Sequence, residues 1–179
     1  MKRIVVGTDG SPTAQQAVNQ AADLAVATGA DLHIVTAYRS PAAIGAMTAT
    51  AAAAGMASVD CYGLSDSLAK DAEAGLARAA AAVAGRGVRV ESHGAGGDPA
   101  EVILDVAEAV DADLIVVGSR GMTGAKRFVL GSVPNKVAHH ACCNVMIVYT
   151  SGPNTGHGHP GGEGTADRRG LKENDATAG

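Results

Sequence analysis

The segment Asp113-Leu114-Ile115-Val116-Val117-Gly118-Ser119-Arg120-Gly121 decides the fold. Its first half is a short apolar run, the pattern of a strand buried on both faces. Its second half is a glycine turn. Nine further residues separate Gly121 from Gly131-Ser132, where a helical pattern begins that runs to about His140. A strand that enters glycines and then a helix start leaves backbone N–H groups unpaired at the positive end of the helix dipole, which suits a phosphate. Open α/β sheets bind ligands at the carboxyl ends of their strands, where this turn lies.

Outward from that segment, strand and helix patterns alternate along the chain. Lys2 to Thr8 is a first strand ending in Gly7-Thr8-Asp9-Gly10. Ser11-Pro12 supplies an N-cap and a proline at the first helical position, and Gly29 closes the helix after about Thr28. Leu32 to Tyr38 is a second strand, helical signals run from near Ser65 to about Ala84, and Val88 to Ser92 is a third strand. Asp98-Pro99-Ala100-Glu101 opens another helix as a capping box, with Ile103, Val106, Ala107 and Val110 at helical spacing. Leu114 to Val117 and Val145 to Tyr149 complete five strands. Such alternation predicts a doubly wound α/β domain, a parallel sheet with right-handed crossovers and helices on both faces.

The domain spans residues 1–150, with a weakly patterned Ala-rich excursion at about residues 40–62 beside the ligand edge. From Ser151 to Gly179, Gly, Pro, Asn and charge replace the apolar periodicity, so a disordered tail is expected there. Aromatics are only 2% of the chain, with no Trp, so Ala, Val, Ile and Leu must build the core. A net charge of −4 and the lack of a basic stripe argue against nucleic acid as a partner. The apolar run after Met1-Lys2-Arg3 is too short for a signal peptide or membrane span. Cys61, Cys142 and Cys143 form neither a disulfide framework nor a metal spacing, which suits a reducing, cytoplasmic setting; Cys142 and Cys143 are expected to be structural.

Several residues carry candidate chemistry. Two roles are open to Asp9: accepting a ribose hydroxyl or holding a phosphate-bound Mg²⁺, or simply bonding the backbone of an Asp-Gly turn. Gly118, Gly121 and Gly131 allow a ligand close to the backbone, and Ser132 offers a hydroxyl, with a plain glycine turn and an N-cap serine as the alternative. Arg120 is a candidate to steer or touch phosphates, whereas Lys126 and Arg127 are expected to be solvated. There is no Walker phosphate loop, no dinucleotide fingerprint at Gly94-Ala95-Gly96-Gly97 and no nucleophile elbow. His33 on an alternating strand is expected to be a packed residue, and His93, His139 and His140 show no partnered acid and nucleophile. His157 and His159 make a weak metal site on the tail.

These motifs together resemble the universal stress protein family, from Met1 to about Thr150. The resemblance is carried by Ile-Val-Val-Gly-Thr-Asp-Gly-Ser at residues 4–11, Ala-Asp-Leu-Ile-Val-Val-Gly-Ser-Arg-Gly at 112–121, Leu-Gly-Ser-Val-Pro-Asn-Lys-Val at 130–137 and Cys-Asn-Val-Met-Ile-Val at 143–148. It implies a Rossmann-like, adenine nucleotide alpha hydrolase-like sheet of order 3-2-1-4-5, a homodimer joined through the last strands, and an adenine nucleotide (ATP or cyclic AMP) in the crevice. Carried over by position, Gly7, Thr8 and Asp9 border adenine and ribose, and Ala37 meets the base. Val117, Gly118, Gly121, Gly131, Ser132 and Val133 surround ribose and phosphates. Pro134 departs from the members that place a donor after Gly-Ser-Val, and Gly-Ser-Val-Pro resembles a subset, some of whose members favour cyclic AMP.

Three functions follow as expectations. The first is a cytoplasmic nucleotide-binding stress or signalling switch. The second is a slow Mg²⁺-dependent ATPase, with no general base evident and hydrolysis slow at most. The third is a nucleotide-free dimer acting by contact. Dimerisation rests on Val145 to Tyr149, an apolar edge that a partner strand or the tail itself would cover.

Overall fold

The side chains of β1 (Arg3–Gly7) explain the architecture: Ile4 and Val6 point to one face and Val5 to the other, yet all three are fully buried. A strand apolar on both faces needs helices on both. The computed structural model describes residues 1–42, 44–46, 60–119 and 130–149. Around β1 it places α1 (Pro12–Thr28), β2 (Asp31–Tyr38), α2 (Cys61–Val83), β3 (Val90–Gly96), α3 (Pro99–Ala109), β4 (Leu114–Gly118), α4 (Ser132–His140) and β5 (Asn144–Val148). The five strands are parallel in the order β3-β2-β1-β4-β5, so the chain reverses direction across the sheet between β1 and β4. The doubly wound reading and its strand order hold.

Ile4, Val6, Leu32, Ile34 and Val116 pack under α1 and α2, against Ala17, Val18, Ala21, Ala25 and Val83. Alanine at those α1 positions lets the helix approach the sheet closely, which is how a core nearly free of aromatics fills its volume. Val5, Val35, Ile115 and Val117 pack on the other face under α3 and α4, against Ile103, Ala107 and Val137. The N-caps of α1 and α3 and the C-cap of α1 are those expected. Ser11 accepts from the Ala14 N–H, Asp98 accepts from the Ala100 and Glu101 N–H groups, and Gly29 takes the left-handed conformation at φ 68.

Several boundaries shift by one to four residues from the sequence reading. β3 runs from Val90 to Gly96, beyond the expected end at Ser92, because its ladder with β2 continues through His93↔Val35 and Gly96↔Tyr38. The glycines at its end permit close packing. A Cβ at Gly96 would sit 3.3 Å from Ser40 Cβ and Tyr38 Cε2, and one at Gly94 would sit 3.4 Å from Leu76. α2 starts at Cys61, before Ser65, because the Asp60 carboxylate accepts the Gly63 N–H at 3.0 Å and caps the helix four residues early. β5 covers Asn144–Val148 and stops one residue short of Tyr149. It is an edge strand, with Ile147 and Tyr149 exposed. In the excursion, residues 41, 42 and 44–46 are helical and Ile44 is buried, while residues 47–59 lie outside the described set, as does the tail from 150. Among the described residues no helix is long and apolar enough to cross a membrane.

Candidate functional site

β1 and β4 are neighbours whose connections leave to opposite sides, and their carboxyl ends open a cleft. The β1 end is held by one residue. Thr8 donates its N–H to the Val35 carbonyl at 2.8 Å, accepts the Gly10 N–H on its hydroxyl at 3.2 Å, and accepts the buried Thr36 hydroxyl on its carbonyl at 2.8 Å. Its polar groups are thus engaged by the protein, and Thr8 positions the loop. Asp9 follows, exposed, with one carboxylate oxygen accepting the Ser11 N–H at 3.0 Å. That is the turn bond of the plainer reading, and it still leaves the carboxylate at the mouth of the cleft.

On the β4 side, Ser119 donates its N–H to Val148 and accepts the Gly131 N–H on its carbonyl at 3.1 Å. The connection that leaves β4 is therefore pinned where it returns to α4. Arg120 and Gly121, with Lys126 and Arg127, belong to residues 120–129, outside the described set. Ser132 is not the N-cap: Gly131 is, at φ −60 and ψ 161, and Ser132 is the first helical residue. No side chain caps this helix, so the Ser132 and Val133 N–H groups remain at the positive end of the α4 dipole, while Pro134 brings none. A Cβ on Gly131 would approach Ser119 O and Pro134 Cδ at 3.4 Å, a contact at the limit of ordinary packing.

The two sides meet around a cavity of about 470 Å³, within the range of small-molecule sites. Of the residues singled out in the sequence, Gly7, Thr8, Asp9, Ala37, Val117, Gly118, Gly131, Ser132 and Val133 all line it. The sequence reading missed Ala14, Val35, Arg39 and Pro99 as lining residues and took Ile103 only as core. Arg39 carried a signal, a basic residue two positions past Ala37 at a strand's carboxyl end. Ile103 carried none, because a helix residue that packs on the sheet and one that floors a cleft have the same periodicity. A Cβ on Gly7 would lie 2.5 Å from Ile103 Cδ1, so the bare glycine lets α3 sit this low over the strand end. Among the described residues, the cleft has an apolar floor of Val35, Ile103 and Val117, and a rim of backbone amides with the Asp9 carboxylate and the Arg39 guanidinium.

Charges around the rim join helix to helix. Lys136 of α4 donates to Asp98, the N-cap of α3, at 3.2 Å and to Glu101 in its first turn at 2.8 Å. Burial raises the Asp98 carboxyl, but the Glu101 N–H, Lys136 and the Ala100 N–H together outweigh it and hold it below the usual carboxylate range. Cys142 is exposed and Cys143 half-buried, both free thiols, and burial pushes the Cys143 thiol up.

A second polar cluster lies on the same face of the sheet. His33 is packed, 4% exposed, but it has company that the sequence did not reveal. Its Nδ1 lies 3.0 Å from His93 Nε2 and 3.7 Å from Glu91 Oε2, both on β3. Burial, partly opposed by Glu91, holds His33 below its ordinary value, so the ring is predominantly neutral at pH 7.

A parallel sheet of order 3-2-1-4-5 with its cleft at the switch point defines a Rossmann-like α/β class. Within that class the chain belongs to the universal stress protein family, whose family profile matches residues 1–149. A universal stress protein of Bacillus subtilis, YxiE, is 34% identical over 149 residues, which cover 82% of this chain and 97% of YxiE. A universal stress protein crystallised in complex with cAMP shares 31% identity at a TM-score of 0.59, covering 84% of this chain and 98% of that one. One from Archaeoglobus fulgidus in complex with dAMP shares 25% identity at a TM-score of 0.58, covering 83% and 98%.

Proposed function

We propose that this chain binds an adenine nucleotide in the cleft between the ends of β1 and β4 and acts as a nucleotide-dependent stress or signalling switch. The observation that carries the reading is the convergence of Gly7, Ala37, Gly118 and Gly131 to Val133 on one cavity. Relatives crystallised with cAMP and dAMP support the ligand class. In this reading Ala37 faces adenine and Asp9 takes a ribose hydroxyl. The Gly118 turn, with Arg120 and Gly121 beyond it, and the Ser132 and Val133 amides take phosphate. With ATP, Asp9 also approaches the phosphate-bound Mg²⁺. Pro134 withholds an amide from the phosphate end, which favours the single cyclic phosphate of cyclic AMP over a triphosphate.

The reading extends to a cytoplasmic homodimer joined through β5, whose Ile147 and Tyr149 are exposed at the sheet edge. Light scattering at twice the chain mass supports the dimer, and a concentration-independent monomer removes it. Switching then means that nucleotide orders residues 40–62 and 121–130, read as hydrogen-exchange protection in both segments.

Calorimetric titration of ATP and cyclic AMP, with and without Mg²⁺, tests the core of the proposal on wild type and Gly131→Val. The branched side chain fills the approach to the α4 amides and is expected to weaken binding at least about a hundredfold, roughly 2.7 kcal/mol. No heat from either ligand, on protein freed of nucleotide, rejects the nucleotide site and leaves a dimer acting by contact.

A further inference from the structure

We propose that His33, Glu91 and His93 form a binding site for a first-row divalent transition metal ion, best suited to Zn²⁺, on the β2–β3 edge of the sheet. The three ligand atoms lie within 4.8 Å of one another, and no ion is present. The register builds this arrangement. His33 is paired directly with Glu91, and His93 lies two residues further along β3, so all three side chains share the face covered by α3.

The spacing is that of a metal's coordination sphere. Two ligands at about 2.0–2.1 Å from a tetrahedral Zn²⁺ stand roughly 3.3 Å apart. The His33 Nδ1 distances of 3.0 Å to His93 and 3.7 Å to Glu91 straddle that value. Two imidazoles and a carboxylate suit Zn²⁺ and exclude Mg²⁺ or Ca²⁺, which take oxygen ligands. His33 is packed, whereas Glu91 is exposed and can swing toward the ion.

Burial also limits the affinity. The bond between His33 Nδ1 and His93 Nε2 can run in either direction, and the buried His33 Nε2 has no hydrogen-bond partner among the described residues. A neutral His33 that ligates through Nδ1 carries its proton on that Nε2. The second-shell acceptor that normally fixes a ligating histidine is absent there, so the site binds more weakly than a structural zinc site. Its consequence is local: the ion clamps edge strand β3 to β2, two residues before Val35 and four before Ala37 on the cleft wall.

Titration of Zn²⁺ alone into the full chain, followed by calorimetry and thermal melting, tests the assignment. One ion per chain is expected, with affinity reduced at least about a hundredfold in His93→Gln and in the exposed variant Glu91→Gln. At a hundredfold excess over Kd, wild type is expected to melt about 5 to 10 °C higher and neither variant to move. Co²⁺ substitution is expected to give visible d–d bands without thiolate charge transfer. Thiolate charge transfer, or binding kept in both strand variants and lost in a His157→Ala/His159→Ala chain, overturns the site. If His93→Gln does not fold, Glu91→Gln alone decides.

Discussion

The two ends of the sheet are built on opposite rules. At the amino end, strand is tied to strand by charge and backbone. Asp113 accepts the Lys2 and Arg3 N–H groups, Arg3 meets Asp111 at 2.9 Å, and Arg89 forks onto Asp31. Those partners hold the Asp113 and Asp31 carboxyls below their usual range, through the Lys2 and Arg3 amides for the first and the Arg89 guanidinium for the second. At the carboxyl end, glycines line the opening. The neutral Thr36 to Thr8 bond links β2 to the end of β1, and the charges of Lys136, Asp98 and Glu101 join helices around the rim. The difference teaches a division of labour: one end is closed to hold the sheet, and the other is left open, with amides turned toward the cleft.

The division breaks first at the element both ends share. Ile115 is fully buried midway along β4 and packs under α3 and α4. Ile115→Ala is expected to cost about 2–5 kcal/mol. Denaturant unfolding reads that loss, and nucleotide affinity is expected to fall with it, since the cleft floor rests on the same layer. Unchanged affinity would show that the cleft end is independent of the core beneath it.

Thr36→Val sharpens the comparison. It removes the buried hydroxyl that holds the Thr8 carbonyl while keeping the shape, for an expected loss of about 1–2 kcal/mol. The effect on nucleotide binding is expected to exceed the effect on the amino end, seen as loss of hydrogen-exchange protection near Thr8 and none near Asp31. Equal loss at both sites would merge the two ends into one cooperative unit.

The smallest effect belongs to the rim. The folded Asp98 carboxyl sits below its ordinary value, so its contribution is present above about pH 4 and disappears as pH falls through the lower folded value. Asp98→Asn keeps a competent N-cap and removes the charge. Since Asp98 and Lys136 are well exposed, the expected change at pH 7 is under about 0.5 kcal/mol, with a shallower decline of stability below pH 4. An unaltered acid limb of the pH–stability curve would remove the ion pair from the account of the rim.

Much of this was legible residue by residue. Ser11, Gly29 and Asp98 mark helix ends by chemistry acting within a few residues, so sequence alone located them. The β3 boundary was misread because glycine's local preference competes with a ladder set by β2, more than fifty residues earlier. Gly131, rather than Ser132, caps α4 because Ser119 holds its N–H, a bond between residues on either side of the β4–α4 connection.

Sequence by itself determined the class of fold and the placement of glycines at a strand's carboxyl end, because period, caps and glycine conformations are local properties of the chain; Gly7, Thr8, Val117 and Val133 on the cleft wall were expected through the family resemblance. Only the tertiary structure decided that Thr8 is occupied in holding its loop, that Arg39 and Ile103 share the cleft, and that His33, Glu91 and His93 meet. Those facts depend on strand register and on how closely helices approach the sheet, and both are set by packing between residues distant in the chain.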